Sequence, residues 1–442
     1  MDYISDFCNN IKRIINSYPD MNIEGARKII KEINDYLYTT HPDIGTLTVL
    51  GKEFNYFSDF HKFWQLNHKK ILDCKIDDNK CSQVAEELHN IYVLTNGHAF
   101  KSVWDKCGLK NKDVCRVRLL TANQDFRGSR KFSDFAKVFK IDNAVFDETN
   151  IKDNPEDFLK SIRVGKLSQN DKRIKYAKNI AEFVLKYNCS PFKLIDKFDR
   201  NIYELRQALI DSNSGYGNKK ADMFLRDMVV LKIWSKVSGF DKLNVASDIN
   251  TIKVALRTGI IQTEIPLVSS FLDIFCYQYE YIDNMNVMAW RKVWEIWMRK
   301  YPGDKIASPC LLDYFIYNVV GKQFCKESLA IFHGDSCNHV FRWSSGLNRR
   351  CQVCYRKGIK DNKAHLIKKV MPCCDAQGSI AILDTEFNKS LPKSKKIKSC
   401  PFINICGENK RKMPPKSISI LGQTGWQSAY TNKDDGGGGL MA

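Results

Sequence analysis

The sequence has no uninterrupted apolar run near the ~18 residues that a membrane span needs. The nearest approach, residues 265–277, is broken by Asp273. The N-terminus, Met1-Asp-Tyr-Ile-Ser-Asp6, has neither a basic segment nor an apolar one, so no secretory signal is expected. Proline is sparse, 12 residues in 442, and the 24 glycines show no period, which excludes a collagen-like chain. Hydrophobic residues at 43% and charged residues at 27% exclude disorder throughout. These absences lead to the expectation of a soluble intracellular protein, in the cytoplasm or nucleoid of a prokaryote or the nucleus of a eukaryote. At roughly 150 residues per domain, the chain has room for about three units.

Acidic residues are also short: Asp+Glu number 50 against 69 Lys+Arg, a net charge of +19. So positive a field attracts polyanions, nucleic acid first and anionic membrane second. Cysteine, in contrast, is plentiful at 16. In a reducing compartment that number implies core thiols and a metal site rather than eight disulfides. Neither feature is evenly spread. Residues 338–416 hold 18 Lys/Arg against 5 Asp/Glu, and eight of the cysteines lie from Cys325 onward. The C-terminal quarter is therefore a domain of a different kind.

The rest reads as mainly α. Residues 1–110 form an N-terminal helical region in which Ile11, Ile14 and Ile15, then Ile29, Ile30, Ile33 and Leu37, recur at helical spacing. From 111 to 325 the pattern stays helical. Ile174, Ala177, Ile180, Ala181, Val184 and Leu185 make one apolar stripe, with Arg173, Lys175 and Lys178 on other faces. Ala221, Phe224, Leu225, Met228 and Val229 make another, and helices are expected at 249–256, 290–299 and 311–320. A basic cysteine-rich module covers 326–410, and residues 411–442 form a tail that includes Gly436–Gly439.

The most informative window is Tyr203–Val230. A helix ends near Ile210, a tight turn carries Gly215-Tyr216-Gly217, and a second helix starts at about Lys219. Glycines one residue apart permit a sharp turn and leave N–H groups open beside a helix N-terminus, an arrangement suited to a phosphate oxygen. Such a hairpin holds a DNA backbone without reading sequence. Taken alone, a Gly-x-Gly turn is more often structural, and Lys219 in isolation is a solvated lysine.

Gly215-Tyr-Gly-Asn-Lys219-Lys-Ala221-Asp resembles the hairpin of the helix-hairpin-helix DNA glycosylases, in which a GxGxKxA pattern carries the catalytic lysine. In that family an aspartate follows at the start of the next helix, and Val245-Ala-Ser-Asp248-Ile-Asn250-Thr-Ile-Lys253-Val254 is similar to that element. Residues 157–162 and 175–181 are similar to the helices before the hairpin, and Thr121-Ala-Asn-Gln-Asp125 to the polar turn beside the everted nucleotide. The resemblance covers residues 113–325. It departs from the family in two places. Asn213-Ser-Gly215 replaces the usual Leu-Pro-Gly, and Lys219 and Asp248 are 29 residues apart, closer to the archaeal oxidised-guanine branch. The extra length is expected in 232–244 as a longer helix and loop.

The resemblance implies a two-lobed helical core that excises a damaged or modified base from double-stranded DNA, with a lysine Schiff base supporting strand nicking. The chemistry fits the residue types. Breaking an N-glycosidic bond builds positive charge on the deoxyribose, which a fixed carboxylate stabilises; Asp248 is the candidate. A lysine amine attacks C1′ only when unprotonated, a state favoured by an apolar pocket and by a helix N-terminus. Lys219 has the second from its position, and Tyr216 or Phe224 is the candidate for the first; Lys220 is its neighbouring competitor. Asp248 is equally suited to cap the helix starting at Ile249. Gly215, Gly217, Asn218 and Lys220 are the expected backbone contacts, with Arg127 and Arg130 as clamps. Asn123 and Gln124 are the candidates to fill the vacancy left by the base. Phe126, Phe132 and Trp234 are the aromatics that would stack on a base or pack in the core.

In the basic module, Cys351-Gln-Val-Cys354 is a two-residue knuckle, with Cys337 and His339 before it and Cys373-Cys374 after 18 residues. The spacing matches tetrahedral structural zinc held by Cys337 or His339, Cys351, Cys354 and one of Cys373/Cys374. Cys400 and Cys406, with five residues between them, make a second pair whose gap equals the last gap of the iron–sulfur cluster that many of these glycosylases carry. Zinc and a cluster are thus both open readings, and neither is needed for catalysis. Two other functions stay open: a non-catalytic DNA-binding protein, and a nuclease- or transposase-associated DNA-recognition protein with a zinc module.

Overall fold

Some helices begin at a side-chain cap and others, including those starting at Asn111, Asn170 and Asn218, do not. In the computed structural model, the described residues are 73–101, 104–125, 130–164, 169–263, 278–325 and 400–406. Short pieces at 47–49, 52–54, 69–70, 331–333 and 340–342, and scattered positions between 6 and 17, complete them. The chain is mainly helical. Among the described residues, its α-helices are α1 (Asp78–Thr95), α2 (Asn111–Ala122), α3 (Phe132–Ile141), α4 (Glu148–Asp153), α5 (Pro155–Ser161), α6 (Asn170–Lys186), α7 (Ile202–Asp211), α8 (Asn218–Val230), α9 (Ile249–Thr258), α10 (Gln278–Lys300) and α11 (Ile403–Cys406). Asp147 caps α4 by accepting from the backbone of Thr149 and Asn150, Asn201 caps α7 likewise, and Pro155 opens α5.

Among the described residues, β-structure comprises three two-stranded antiparallel ladders and one isolated parallel bridge, Asn201 to Ser238. β1 (Leu47–Val49) pairs with β2 (Lys52–Phe54), β3 (Lys75–Ile76) with β4 (Ile261–Gln262), and β5 (Ile331–His333) with β6 (Val340–Arg342). The first falls where the sequence suggests only helices. Most of the N-terminal helical positions, including Ile11, Ile15 and 29–37, lie outside the described residues.

The chain divides into two units, each discontinuous in sequence. One comprises Ile91–Asp248 with Trp297–Phe315, the other Met1–Asn90, Ile249–Ile296 and Ile316–Ala442. In the first, α2 is the central element: Val114, Cys115, Val117 and Leu119–Ala122 are all buried, so it is enclosed on nearly every side. Around it pack α6 through Ala177, Ile180, Ala181 and Val184, and α8 through Ala221, Phe224, Leu225 and Met228. Two stripe expectations need correction. Leu185 is exposed, and Arg173 is buried rather than on an outer face, because its guanidinium donates to the Gln124 carbonyl at 2.9 Å.

In the second unit, Asn286 on α10 donates to Thr251 Oγ1 on α9 at 3.0 Å, and Lys292 pairs with Asp78 at 3.0 Å. The single helix expected at 311–320 is instead a 3₁₀ turn, Pro309–Leu312, followed by a π-helix, Phe315–Phe324. Pro309 and the Ser308 hydroxyl, which accepts from Cys310 N, start the tight turn. No helix among the described residues is long and apolar enough to cross a membrane.

Candidate active site at the helical hairpin

The hairpin forms as its sequence suggests, with α7 ending at Asp211 and α8 starting at Asn218. Gly215 is required twice over. Its φ is +83°, and a Cβ there would lie 2.5 Å from the Tyr176 ring. Gly217 is different: its backbone is extended and nothing lies within 4 Å of where a Cβ would sit. What glycine contributes at 217 is an uncovered helix N-terminus.

The turn is anchored by polar groups. Asn213 takes a left-handed φ of 52° and its carbonyl accepts from Asn179 Nδ2 at 3.0 Å. Ser214 is fully buried, its carbonyl accepting from Asn123 Nδ2 at 3.0 Å. Tyr216 turns inward and donates its hydroxyl to the Leu119 carbonyl at 2.7 Å, and burial pushes its proton affinity up. The two hairpin helices are clamped by a buried ion pair, Arg206 to Asp222 at 2.5 and 3.1 Å, and Arg206 also donates to Asn218 Oδ1 at 2.9 Å.

The two adjacent lysines point to different environments. Lys219 projects from the first turn of α8 with its side chain 49% exposed, and its Nζ lies 3.7 Å from Asp248 Oδ2. Asp248 arrives there because Leu243, Val245, Ala246 and Ser247 are buried in sequence, leaving the carboxylate at the end of an anchored segment. Lys220 turns inward and donates to the Asn123 carbonyl at 2.8 Å. Burial first, then the neighbouring Lys219 charge, brings the Lys220 ammonium down to about 8, against the pull of Asp125.

The 29-residue spacing is accommodated without the longer helix expected. α8 stops at Val230, and residues 232–244 form a loop with one 3₁₀ turn, Phe240–Lys242. That loop is held by backbone bonds: Ile202 N to Ser238 O at 3.0 Å and Ser238 N to Arg200 O at 3.0 Å.

Other expected site residues fall in varied places. Asn123 and Gln124 are buried, and their amides are committed to Tyr176, Ser214 and Arg173 carbonyls. Asn123 thereby joins the hairpin turn to α6, and Gln124 is tied to α6 alone. Arg130 is exposed and donates to the Arg163 carbonyl at 3.2 Å. Trp234 is core, donating to Phe192 O at 2.9 Å, and Phe132 packs on Trp104 with ring centroids 4.1 Å apart. Arg127 and Phe126 lie outside the described residues, as do Cys337, His339, Cys351, Cys354, Cys373 and Cys374.

Cys400 and Cys406 are buried, and Cys400 hydrogen-bonds Cys325, a partner that the sequence spacing does not suggest. That bond, with Arg257 and Lys253 nearby, draws the Cys325 thiol down against the effect of burial. Among the described residues, no group of three or more His, Cys, Asp or Glu side chains could hold a metal ion.

Sequence reasoning also passes over a buried charged chain beneath the hairpin. Arg226 bonds Asp227 through Nε at 3.1 Å and Nη2 at 2.6 Å, and its Nη1 bonds Asp313. Asp227 in turn accepts from Trp104 Nε1 at 2.8 Å and faces Arg118 at 3.5 Å. Arg226 and Asp227 read in sequence as polar helix positions, and Asp313 lies 87 residues away, so no local signal joins them. No protein-family model matches the chain, and neither curated proteins nor solved structures give a match.

Proposed function

We propose that this protein is a DNA N-glycosylase that excises a damaged or modified base from duplex DNA and forms a lysine Schiff base at the resulting site. The observation that carries the reading is the approach of Lys219 Nζ to Asp248 Oδ2, 3.7 Å apart across 29 residues of chain, at the open end of the hairpin. Lys219 stands half-exposed beside an uncovered helix N-terminus, which leaves the pair open to a phosphate and its sugar. Phosphate binding at Gly217 and Asn218 would present the adjoining deoxyribose to that pair. Asp248 would hold the positive charge that develops on the sugar, and the Lys219 amine would attack C1′ as the base departs. The basic residues beyond 338 would add phosphate contacts whose strength falls steeply with salt.

Borohydride reduction in the presence of duplexes carrying different lesions tests this directly. The expected result is a covalent protein–DNA adduct with at least one lesion, absent in Lys219→Ala, and base release slowed on the order of 100-fold or more in Asp248→Asn with DNA binding retained. An adduct that survives Lys219→Ala, or full turnover in Asp248→Asn, would overturn the assignment.

A further inference from the structure

Three stretches far apart in the chain are tied into one surface around the hairpin. The hairpin turn is fastened to α6 by Asn179 Nδ2, which donates to Asn213 O at 3.0 Å, and by Gly215, whose missing side chain leaves room for the Tyr176 ring. The turn after α2 joins both, because Asn123 Nδ2 donates to Tyr176 O and Ser214 O at 3.0 Å each. Arg173 Nη1, donating to Gln124 O at 2.9 Å, holds the start of α6 to the same place. Farther along, Arg130 Nε donates to Arg163 O at 3.2 Å, which sets the approach to α3 against the turn after α5.

The exposed charges on that surface are mostly of one sign. Among the described residues of 123–131, 162–175 and 212–219, the exposed cations are Arg130, Lys131, Arg163, Lys172, Lys175 and Lys219, and the exposed acids are Asp125 and Asp171. Lys160 and Lys178, close by, are paired within their own helices, with Asp157 at 2.9 Å and Glu182 at 3.9 Å. Arg163, Lys172 and Lys175 make no ion pair among the described residues. Cations gathered in this way repel one another, and a polyanion relieves the repulsion.

Helical periodicity relates the α6 lysines to the hairpin. Residues 172, 175, 176 and 179 recur at three- and four-residue steps and so share a face, and on that face Tyr176 and Asn179 touch the hairpin turn. Lys172 lies about 6 Å before Tyr176 along the axis. A backbone held at the hairpin would therefore run past these lysines within a few nucleotides. That continuity favours a nucleic-acid backbone over an acidic protein surface, because one strand of evenly spaced charge can meet both places.

Resting on the glycosylase reading, we propose that Arg163, Lys172 and Lys175 form a second phosphate-binding lobe of the DNA site, held in register with the hairpin through Asn123, Tyr176 and Asn179. The hairpin holds the backbone beside the reacting sugar, and the lobe holds neighbouring phosphates, so that the duplex cannot pivot about a single point of attachment.

The test measures binding of the full-length protein to a duplex carrying a stable abasic-site analogue, over a range of salt. Each lost phosphate contact lowers the slope of log affinity against log salt by about 0.9, so Lys172→Ala/Lys175→Ala should lose about 1.8 and bind on the order of tenfold more weakly at moderate salt. Arg163→Gln should lose about half that slope. Lys193→Ala/Lys197→Ala removes the same charge from the Pro191–Phe198 turn, outside these stretches, and should leave affinity and slope nearly unchanged. Neutral methylphosphonates placed singly along both strands locate the contacts: some positions a few nucleotides from the abasic site should weaken wild type but not Lys172→Ala/Lys175→Ala. Equal losses in the two double variants would reduce the effect to net charge and overturn the lobe. A methylphosphonate profile identical in wild type and Lys172→Ala/Lys175→Ala would overturn it as well. Either result, alongside a wild-type borohydride adduct, would leave the function standing. A wild type that binds no duplex and gives no adduct with any lesion would instead remove the glycosylase reading and this inference with it.

Discussion

The outer and inner faces of the hairpin, built from neighbouring residues of one short stretch, behave as different materials. Gly217, Asn218 and Lys219 face outward and are exposed, whereas Ser214 and Tyr216 are buried and Lys220 turns inward. Two neighbouring lysines thus take opposite tasks: one stands beside a carboxylate at the surface, the other closes a strap between α8 and the turn after α2. Residue type does not determine the task here; the 100° between successive helical positions does.

That contrast can be broken or sharpened by substitution. The largest effect should come from the outer face. Lys219→Ala should abolish trapped adduct while denaturant unfolding moves by no more than about 1 kcal/mol, as for the loss of one half-exposed ion pair. Next, on the inner face, Gly215→Ala must place a methyl against Tyr176 at a left-handed φ, and should cost about 2–4 kcal/mol by the same assay. Asn123→Ala removes both buried amide bonds to Tyr176 and Ser214 carbonyls and should cost about 1–3 kcal/mol.

Lys220 gives a pH-dependent version of the comparison. Its folded-state proton affinity, near 8, lies below the ordinary lysine value of about 10.4. The unfolded chain therefore binds more protons between these limits, and stability should rise with pH from about 8 to 10. Lys220→Met should flatten that rise, measured by urea unfolding at several pH values; an unchanged slope would place the lysine outside the strap. The smallest effect should be Gly217→Ala: near-neutral in stability, because its backbone is extended and its surroundings open, but several-fold weaker in DNA binding at moderate salt.

Much of this hairpin can be read from residues alone. The apolar stripe Ala221, Phe224, Leu225 and Met228 gives α8 its position, and the paired glycines give the turn, because both signals are local. Lys219 and Asp248, which the sequence pairs only through a resemblance, lie 3.7 Å apart in the fold, whereas the loop between them has no legible signal. Asn123 and Gln124 resemble a solvated polar turn in sequence, and only the fold reveals that α6 and the hairpin surround them. Arg173 misleads for the same reason: a charge at helical spacing reads as surface until a buried carbonyl is found opposite it. Asp313 and Cys325 are illegible because their partners, Arg226 and Cys400, come from distant segments and obey no spacing rule.

The stitched loop between α8 and Asp248 works as a fixed-length spacer. Because Ser238 is tethered on both sides to Arg200 and Ile202, the reach of the aspartate is set by how many residues run from that tether to position 248. Removing one residue between 239 and 244 would retract the acid from the amine with no change to either side chain. The gap between Lys219 and Asp248 is thus gauged from outside, by a seam at the far end of the loop.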